Sequence, residues 1–164
     1  MIKRAFMRFP GWWCLLSLAG VFSGHGADKS FSLGGTNAVL QDVTDQVDVY
    51  YSAMRLNRAL NLWNVNAAIS NKTSGALVGP FVLLVGSYSG TTGPVQPDGV
   101  DAVNPTNGWY HLTALVTGGA LAPGEKSAPR TLSLGLGTGT PQITARVYAG
   151  VNQRVGALAL TRSL

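Results

Sequence analysis

The feature that most constrains the fold of this 164-residue chain is a strict alternation of apolar and polar residues in its first half. Apolar side chains fall two residues apart at Trp63, Val65, Ala67 and Ile69, with asparagines between the first three. Residues 47–51 repeat the pattern. Because successive side chains of a β-strand point to opposite faces, one face should meet a core and the other should meet water. The pattern predicts a long hairpin over residues 47–71, with its connection at residues 55–61.

Further alternating segments are separated by turns rich in glycine, proline and asparagine. They lie at residues 77–85, 109–116, 131–136 and 143–149. Residues 81–85 are apolar on both faces, so this strand should be central and covered, or should contact something outside the sheets. Residues 86–99 are predicted to form a loop. About seven such strands predict an all-β fold, specifically an antiparallel β-sandwich.

The first 27 residues have the organisation of a signal peptide. Lys3, Arg4 and Arg8 form a basic segment, and an apolar run follows that is short for a membrane span. We expect cleavage near residue 27, the alternative being an uncleaved anchor. The mature protein should then be secreted, or lie at the cell surface or in the periplasm, without membrane association. The predicted organisation is a signal peptide (1–27), a flexible leader (28–42), a sandwich (43–150) and a tail (151–164) that is an extra strand or a loose end.

The basic charge of the chain belongs mostly to its N-terminal segment. Twelve Lys and Arg residues against seven Asp and Glu residues give a net charge of +5. Without Lys3, Arg4 and Arg8, nine basic residues face the same seven acidic ones, a net charge of +2. The remaining basic residues are scattered, so a nucleic-acid partner is not expected. The single cysteine, Cys14, lies in the apolar run, so the mature domain should have no disulfide.

Catalytic and metal-binding chemistry has few candidate residues. His111 is the one histidine after residue 27, and no G-x-S-x-G motif accompanies it, so a nucleophile–base pair is not expected. Zinc would need several His or Cys ligands. We therefore predict a non-enzymatic domain without a cofactor. The oxygen-rich residues Asp98, Asp101 and Asn104 are a weak calcium candidate, weighed against ordinary turn chemistry.

Aromatic residues on the outward faces of two predicted strands are the candidates for a ligand-binding site. Trp109 and His111 are expected to point outward from one strand, and Tyr148 from another. Tyr50 and Tyr88 are further aromatic residues expected to be partly exposed. Exposed aromatic rings on a sheet face stack on sugars or anchor a protein partner. Single exposed aromatic residues are also common on protein surfaces, so the alternative is that Trp109, His111 and Tyr148 bind no ligand.

Six short segments share their order and spacing with a known class of domain. They are V-D-V-Y-Y-S (47–52), R-L-N-R (55–58), S-N-K-T-S-G (70–75), A-L-V-G-P (76–80), L-A-P-G-E (121–125) and A-R-V-Y-A-G (145–150). Together they resemble the immunoglobulin-like β-sandwich modules of bacterial exported and surface proteins, over about residues 43–150. The resemblance implies a non-catalytic module for presentation, spacing or adhesion, with no catalytic residues to transfer.

The function expected from these observations is that of a secreted module acting through protein contacts. It would be a structural or adhesion component of the cell surface, or a subunit of an extracellular assembly. Its partner would be another protein, a component of the cell envelope or a second copy of the same chain. The alternative is a carbohydrate-binding module that uses outward-facing aromatic residues.

Overall fold

The computed structural model describes residues 26–150, which form an all-β domain. The strands are β1 (Lys29–Leu33), β2 (Thr36–Asp42), β3 (Val47–Asn57), β4 (Leu62–Asn71), β5 (Leu77–Val78), β6 (Val82–Ser89), β7 (Thr91–Pro94), β8 (Gly99–Val100), β9 (Gly108–His111), β10 (Ala120–Leu121), β11 (Arg130–Leu136) and β12 (Gln142–Ala149). Short 3-10 helices lie at Thr44–Gln46, Thr113–Leu115 and Thr117–Gly119. All pairings between these strands are antiparallel, so the prediction of an all-β, antiparallel fold is confirmed.

The strands form two larger sheets and one small one. The six-stranded sheet has the order β1-β2-β12-β6-β9-β8, and the four-stranded sheet has the order β3-β4-β11-β7. β5 and β10 pair with each other. β12 is the last strand of the described chain, yet it lies between β2 and β6, with Tyr148 opposite both Asp42 and Val82.

The predicted central hairpin is present as β3 and β4, which pair along their lengths. Val65, Ala67 and Ile69 are buried, which confirms the alternating core face. The connection is shorter than predicted, because residues 55–57 still pair with β4 and leave residues 58–61 to turn the chain.

One hydrophobic cluster receives side chains from both larger sheets. Ile69 and Leu132 come from the four-stranded sheet, and Leu83 and Val147 come from the six-stranded sheet. All four are fully buried. Burial of an aliphatic side chain contributes about 1.5–3 kcal/mol, so this shared cluster is a principal source of the domain's stability.

A second apolar cluster lies on the opposite face of the six-stranded sheet. Val82 and Leu84 belong to it, and they alternate along β6 with residues of the first cluster. The prediction that this strand is apolar on both faces and covered is confirmed. The cover is formed by Phe31 of β1 and Leu40 of β2.

The prediction of a flexible leader over residues 28–42 is therefore wrong. β1 and β2 form a regular hairpin, and Gly34 and Gly35 make its turn with φ angles of 58° and 84°. Glycine adopts positive φ without steric cost, so these residues shape the turn. The sequence of the hairpin is mostly polar because only a few of its side chains, chiefly Phe31 and Leu40, are buried. For this reason it resembles the sequence of a flexible segment.

Two other segments differ from the predicted strands and loops. The predicted loop at residues 86–99 contains the end of β6 and all of β7, whose glycine and threonine residues carry little apolar pattern. The predicted strand at residues 109–116 ends at His111. A 3-10 helix begins at Thr113, whose hydroxyl accepts the Phe81 N–H at 2.8 Å.

The predicted signal peptide, except for residues 26 and 27, and the tail at residues 151–164 lie outside the described residues. Both stay predictions. Within residues 26–150, no helix combines the length and apolar character needed to cross a membrane.

Replacing Phe31 with alanine should destabilise the domain by about 3 kcal/mol, because it removes a buried ring from the cover over β6. Chemical denaturation measures the loss, and binding of a hydrophobic dye should increase as the face opens. The matched control is Val39→Ala on the same hairpin, where the side chain is 61 % exposed and little change is expected. Equal stability of the Phe31→Ala variant and the native protein would contradict the proposed covering role.

Candidate functional site

A cleft of about 280 Å³ lies between the turn of the first hairpin and the end of β9. It is lined by Ser32, Leu33, Gly34, Asp98, Trp109, His111, Ala114 and Arg130. Three of the residues singled out from the sequence, Asp98, Trp109 and His111, are thus brought together. Arg130 joins them from the start of β11 and was not foreseen.

Asp98 is the centre of the polar contacts in this cleft. One carboxylate oxygen accepts the backbone N–H of His111 at 2.7 Å, and the other lies 2.6 Å from the Arg130 Nη2. Arg130 also donates through Nη1 to the backbone oxygen of His111 at 3.2 Å. Asp98 and Arg130 are each about one-third exposed, so solvent screens the attraction between them. The arrangement holds the end of β9 against β11.

The imidazole of His111 is not oriented by the carboxylate of Asp98. Asp98 bonds to the main chain of His111 and not to its ring, so it does not orient the ring as a triad carboxylate does. The Nε2 atom is buried and has no hydrogen-bond partner among the described residues. The contacts that Asp98 and Arg130 make with the main chain of His111 fix the position of the strand end.

The prediction that Trp109 presents an open aromatic face is wrong. Its side chain is 5 % exposed and belongs to the cluster under the first hairpin. Phe31 packs against it edge-on, with ring centroids 5.8 Å apart. The indole N–H donates to the Val100 carbonyl at 3.2 Å. Trp109 does point away from the main core, as its position in the strand requires, but β1 covers it.

The same correction applies to Tyr148, which is 2 % exposed. Its ring centroid lies 5.1 Å from that of Phe31. Stacking on a sugar needs an accessible ring face, which neither Tyr148 nor Trp109 has. The carbohydrate-binding alternative therefore loses two of the aromatic rings proposed for it, whereas Tyr50 is exposed as expected.

Asp101 is held by a short ion pair with Lys29 of β1, at 2.6 Å. Its other oxygen accepts the Val103 N–H at 3.0 Å. Burial by itself would raise the pKa of Asp101, but these two hydrogen bonds and the charge of Lys29 together lower it. The pair fastens the first strand to the loop after β8.

The calcium candidates are not arranged as one ligand set. Asp98 is paired with Arg130 and Asp101 with Lys29, while the Asn104 side chain accepts the Thr106 hydroxyl at 2.7 Å. Among residues 26–150 no group of three or more His, Cys, Asp or Glu side chains is placed to hold a metal ion. Asp101 and Asn104 make local turn contacts, whereas Asp98 contacts residues that are distant in the sequence.

A second surface, along β3, carries exposed aromatic and apolar side chains that the sequence did not single out together. We define the β3 surface as Tyr50, Tyr51 and Met54, which are 46 %, 37 % and 38 % exposed. The ammonium group of Lys126 lies 4.0 Å from the centre of the Tyr50 ring. Partial burial raises the pKa of Tyr51 to about 12. A shallow groove of about 540 Å³ continues the strand, lined by Arg55, Leu56, Asn57, Arg58 and Asn64.

Comparison of the chain with protein-family models, with curated proteins and with solved structures finds no match.

Replacing Lys29 with methionine should cost about 1 kcal/mol near neutral pH, because Asp101 loses its cation. The folded-state pKa of Asp101 is lowered, so its stabilising contribution is present above the unfolded-state pKa and is lost as pH falls through the folded-state pKa. The difference between variant and native protein should therefore shrink in acid. Urea denaturation over a pH series measures it.

Lys72→Met is the matched control for that series, because its ion pair with Asp48 is 3.7 Å long and exposed, and little change is expected at any pH. A Lys29→Met effect that does not vary with pH would contradict the role assigned to Asp101.

Proposed function

We propose that this protein is an exported, non-catalytic module that acts through contacts with other proteins, as a cell-surface or matrix component or as a subunit of an extracellular assembly. The observation that carries the proposal is the long, open edge of β3 with the exposed β3 surface on it. Export rests on the signal-like organisation of the first 27 residues.

The edge strands of the two larger sheets differ in a way that supports this reading. β1, β7 and β8 are edge strands of five, four and two residues, and β7 ends in Pro94. Short strands, proline, charged side chains and β-bulges are the usual means by which proteins protect a sheet edge from pairing with another chain. β3 is the longest of the four, with eleven residues and no proline, and it carries one bulge between Ser52 and Arg55. Its charges stand at Asp48 and Arg55, with six uncharged residues between them.

We further propose an immunoglobulin-like sandwich as the architecture behind this surface. The support is the hydrophobic cluster shared by the two larger sheets, together with the six segments that resemble such modules. Asn71, at the end of β4, is fully buried and its side-chain amide donates to the carbonyls of Gly75 and Leu121 at 2.7 and 2.9 Å. These bonds fasten two of the resembling segments to each other.

The proposal predicts that the purified protein binds proteins of the cell envelope or matrix of its source. Replacing Tyr50 and Tyr51 together with serine should weaken this binding about tenfold or more, because exposed tyrosines are frequent anchors of protein interfaces. A pull-down titration against protease-treated and untreated envelope fractions measures the effect and shows that the bound component is a protein.

The matched control is Val103→Ser, which removes an apolar side chain that is 86 % exposed on a different loop. Its binding should equal that of the native protein. Binding that survives the double tyrosine substitution, or no binding to any protein, would contradict the proposal.

A further inference from the structure

The backbone of β3 directs part of its hydrogen-bonding groups away from β4. Val49 lies opposite Ile69, and both backbone groups of Ile69 bond to Ser127 on the far side, N–H to Oγ at 3.1 Å and C=O to N–H at 2.9 Å. In an antiparallel ladder, both residues of such a pair turn their backbone groups away from each other. The N–H and C=O of Val49 therefore point to the open edge.

The neighbouring positions follow the same alternation. Asn71, opposite Val47, bonds through its backbone to Glu125 and Gly124 at 3.0 and 2.8 Å. Alternation by two residues places the backbone groups of Val47, Val49 and Tyr51 on the open edge of the sheet. These residues offer a regular template for another strand.

We propose that this template pairs with β3 of a second copy of the chain, antiparallel and with Tyr51 opposite Tyr51. The inference rests on the proposed function and names one partner for the β3 surface. In this register Tyr50 lies opposite Ser52 of the second copy, and the new strand pair joins two four-stranded sheets into one of eight strands.

Charge complementarity selects this register. β3 has a bulge between Ser52 and Arg55, where two residues oppose Val65 alone, so the bulged residues count as one position. Asp48 then lies three positions before Tyr51, and Arg55 lies three positions after it. A two-fold axis at Tyr51 places each Asp48 opposite Arg55 of the second copy.

Both charged side chains are on the same face and are accessible. Their partners on β4, Ser70 and Asn64, belong to the polar face that alternates with the buried one. Asp48 is about half exposed, with Lys72 at 3.7 Å as its present partner. Arg55 is exposed and forms no ion pair with the residues described here. Opposite charges directly across two strands stabilise the pairing, and like charges weaken it.

Charge reversal tests the register. Asp48→Lys and Arg55→Glu should each weaken self-association of the full chain roughly tenfold, because each creates two like-charge pairs across the interface. An equimolar mixture of the two variants should associate as strongly as the native protein, since the mixed dimer restores both opposite-charge pairs. Sedimentation velocity over a concentration series measures all three, with circular dichroism to verify folding.

The control is Asp28→Lys, which makes the same charge change as Asp48→Lys at an exposed position outside β3. This variant should associate as the native protein does. A native protein that is monomeric at every concentration overturns the inference, and so do charge variants that associate normally or a mixture that stays monomeric.

A cysteine at the two-fold axis provides a second measurement. In a Cys14→Ser background, Tyr51→Cys should form a disulfide-linked dimer on mild oxidation, because opposed Cα atoms of a hydrogen-bonded pair lie about 5.5 Å apart. Ser52→Cys is the matched control, since its counterpart is offset by two positions, and it should not cross-link. Equal cross-linking of the two variants overturns the register.

The outcomes separate this inference from the proposed function. A monomer that binds envelope proteins through Tyr50 and Tyr51 overturns self-pairing and leaves the proposed function standing. A dimer that follows the charge rules but binds no envelope protein supports self-pairing and contradicts an envelope partner.

Discussion

Everything in this domain depends on a strand that is apolar on both sides. Leu83 of β6 faces the cluster shared by the two larger sheets, and Val82 and Leu84 face the opposite way. A single pair of sheets can cover one of these faces, so the second needs its own cover. The first hairpin supplies it through Phe31, and that requirement gives a polar, glycine-rich segment a fixed place in the fold.

The first hairpin also determines which aromatic side chains are exposed to solvent. Phe31 packs on Trp109 and Tyr148 and removes both rings from solvent, so the aromatic residues most suggestive in the sequence serve stability. Exposed aromatic area is found instead on β3, whose outer edge pairs with no other strand of residues 26–150. Both larger sheets contribute to the shared core, and the exposed tyrosines lie on the four-stranded sheet.

Local periodicity was enough to predict the class of fold, the central hairpin and the two-sided character of β6, because each depends on residues close in sequence. Local periodicity could not predict the ion pairs. Lys29 meets Asp101 across 72 positions, and Arg130 meets Asp98 in the cleft across 32, and no local pattern relates such pairs. The burial of Trp109 was missed for a related reason, since its cover came from outside the expected domain boundary.

The position of β12 has a consequence for the timing of folding. This strand, the last of the described residues, lies between the first hairpin and β6, so residues 26–141 alone lack the strand that joins these two parts of the sheet. Contacts between such distant segments form slowly, because closing the long intervening loop has an entropic cost. The six-stranded sheet is therefore expected to close late in folding, when β12 joins its two parts.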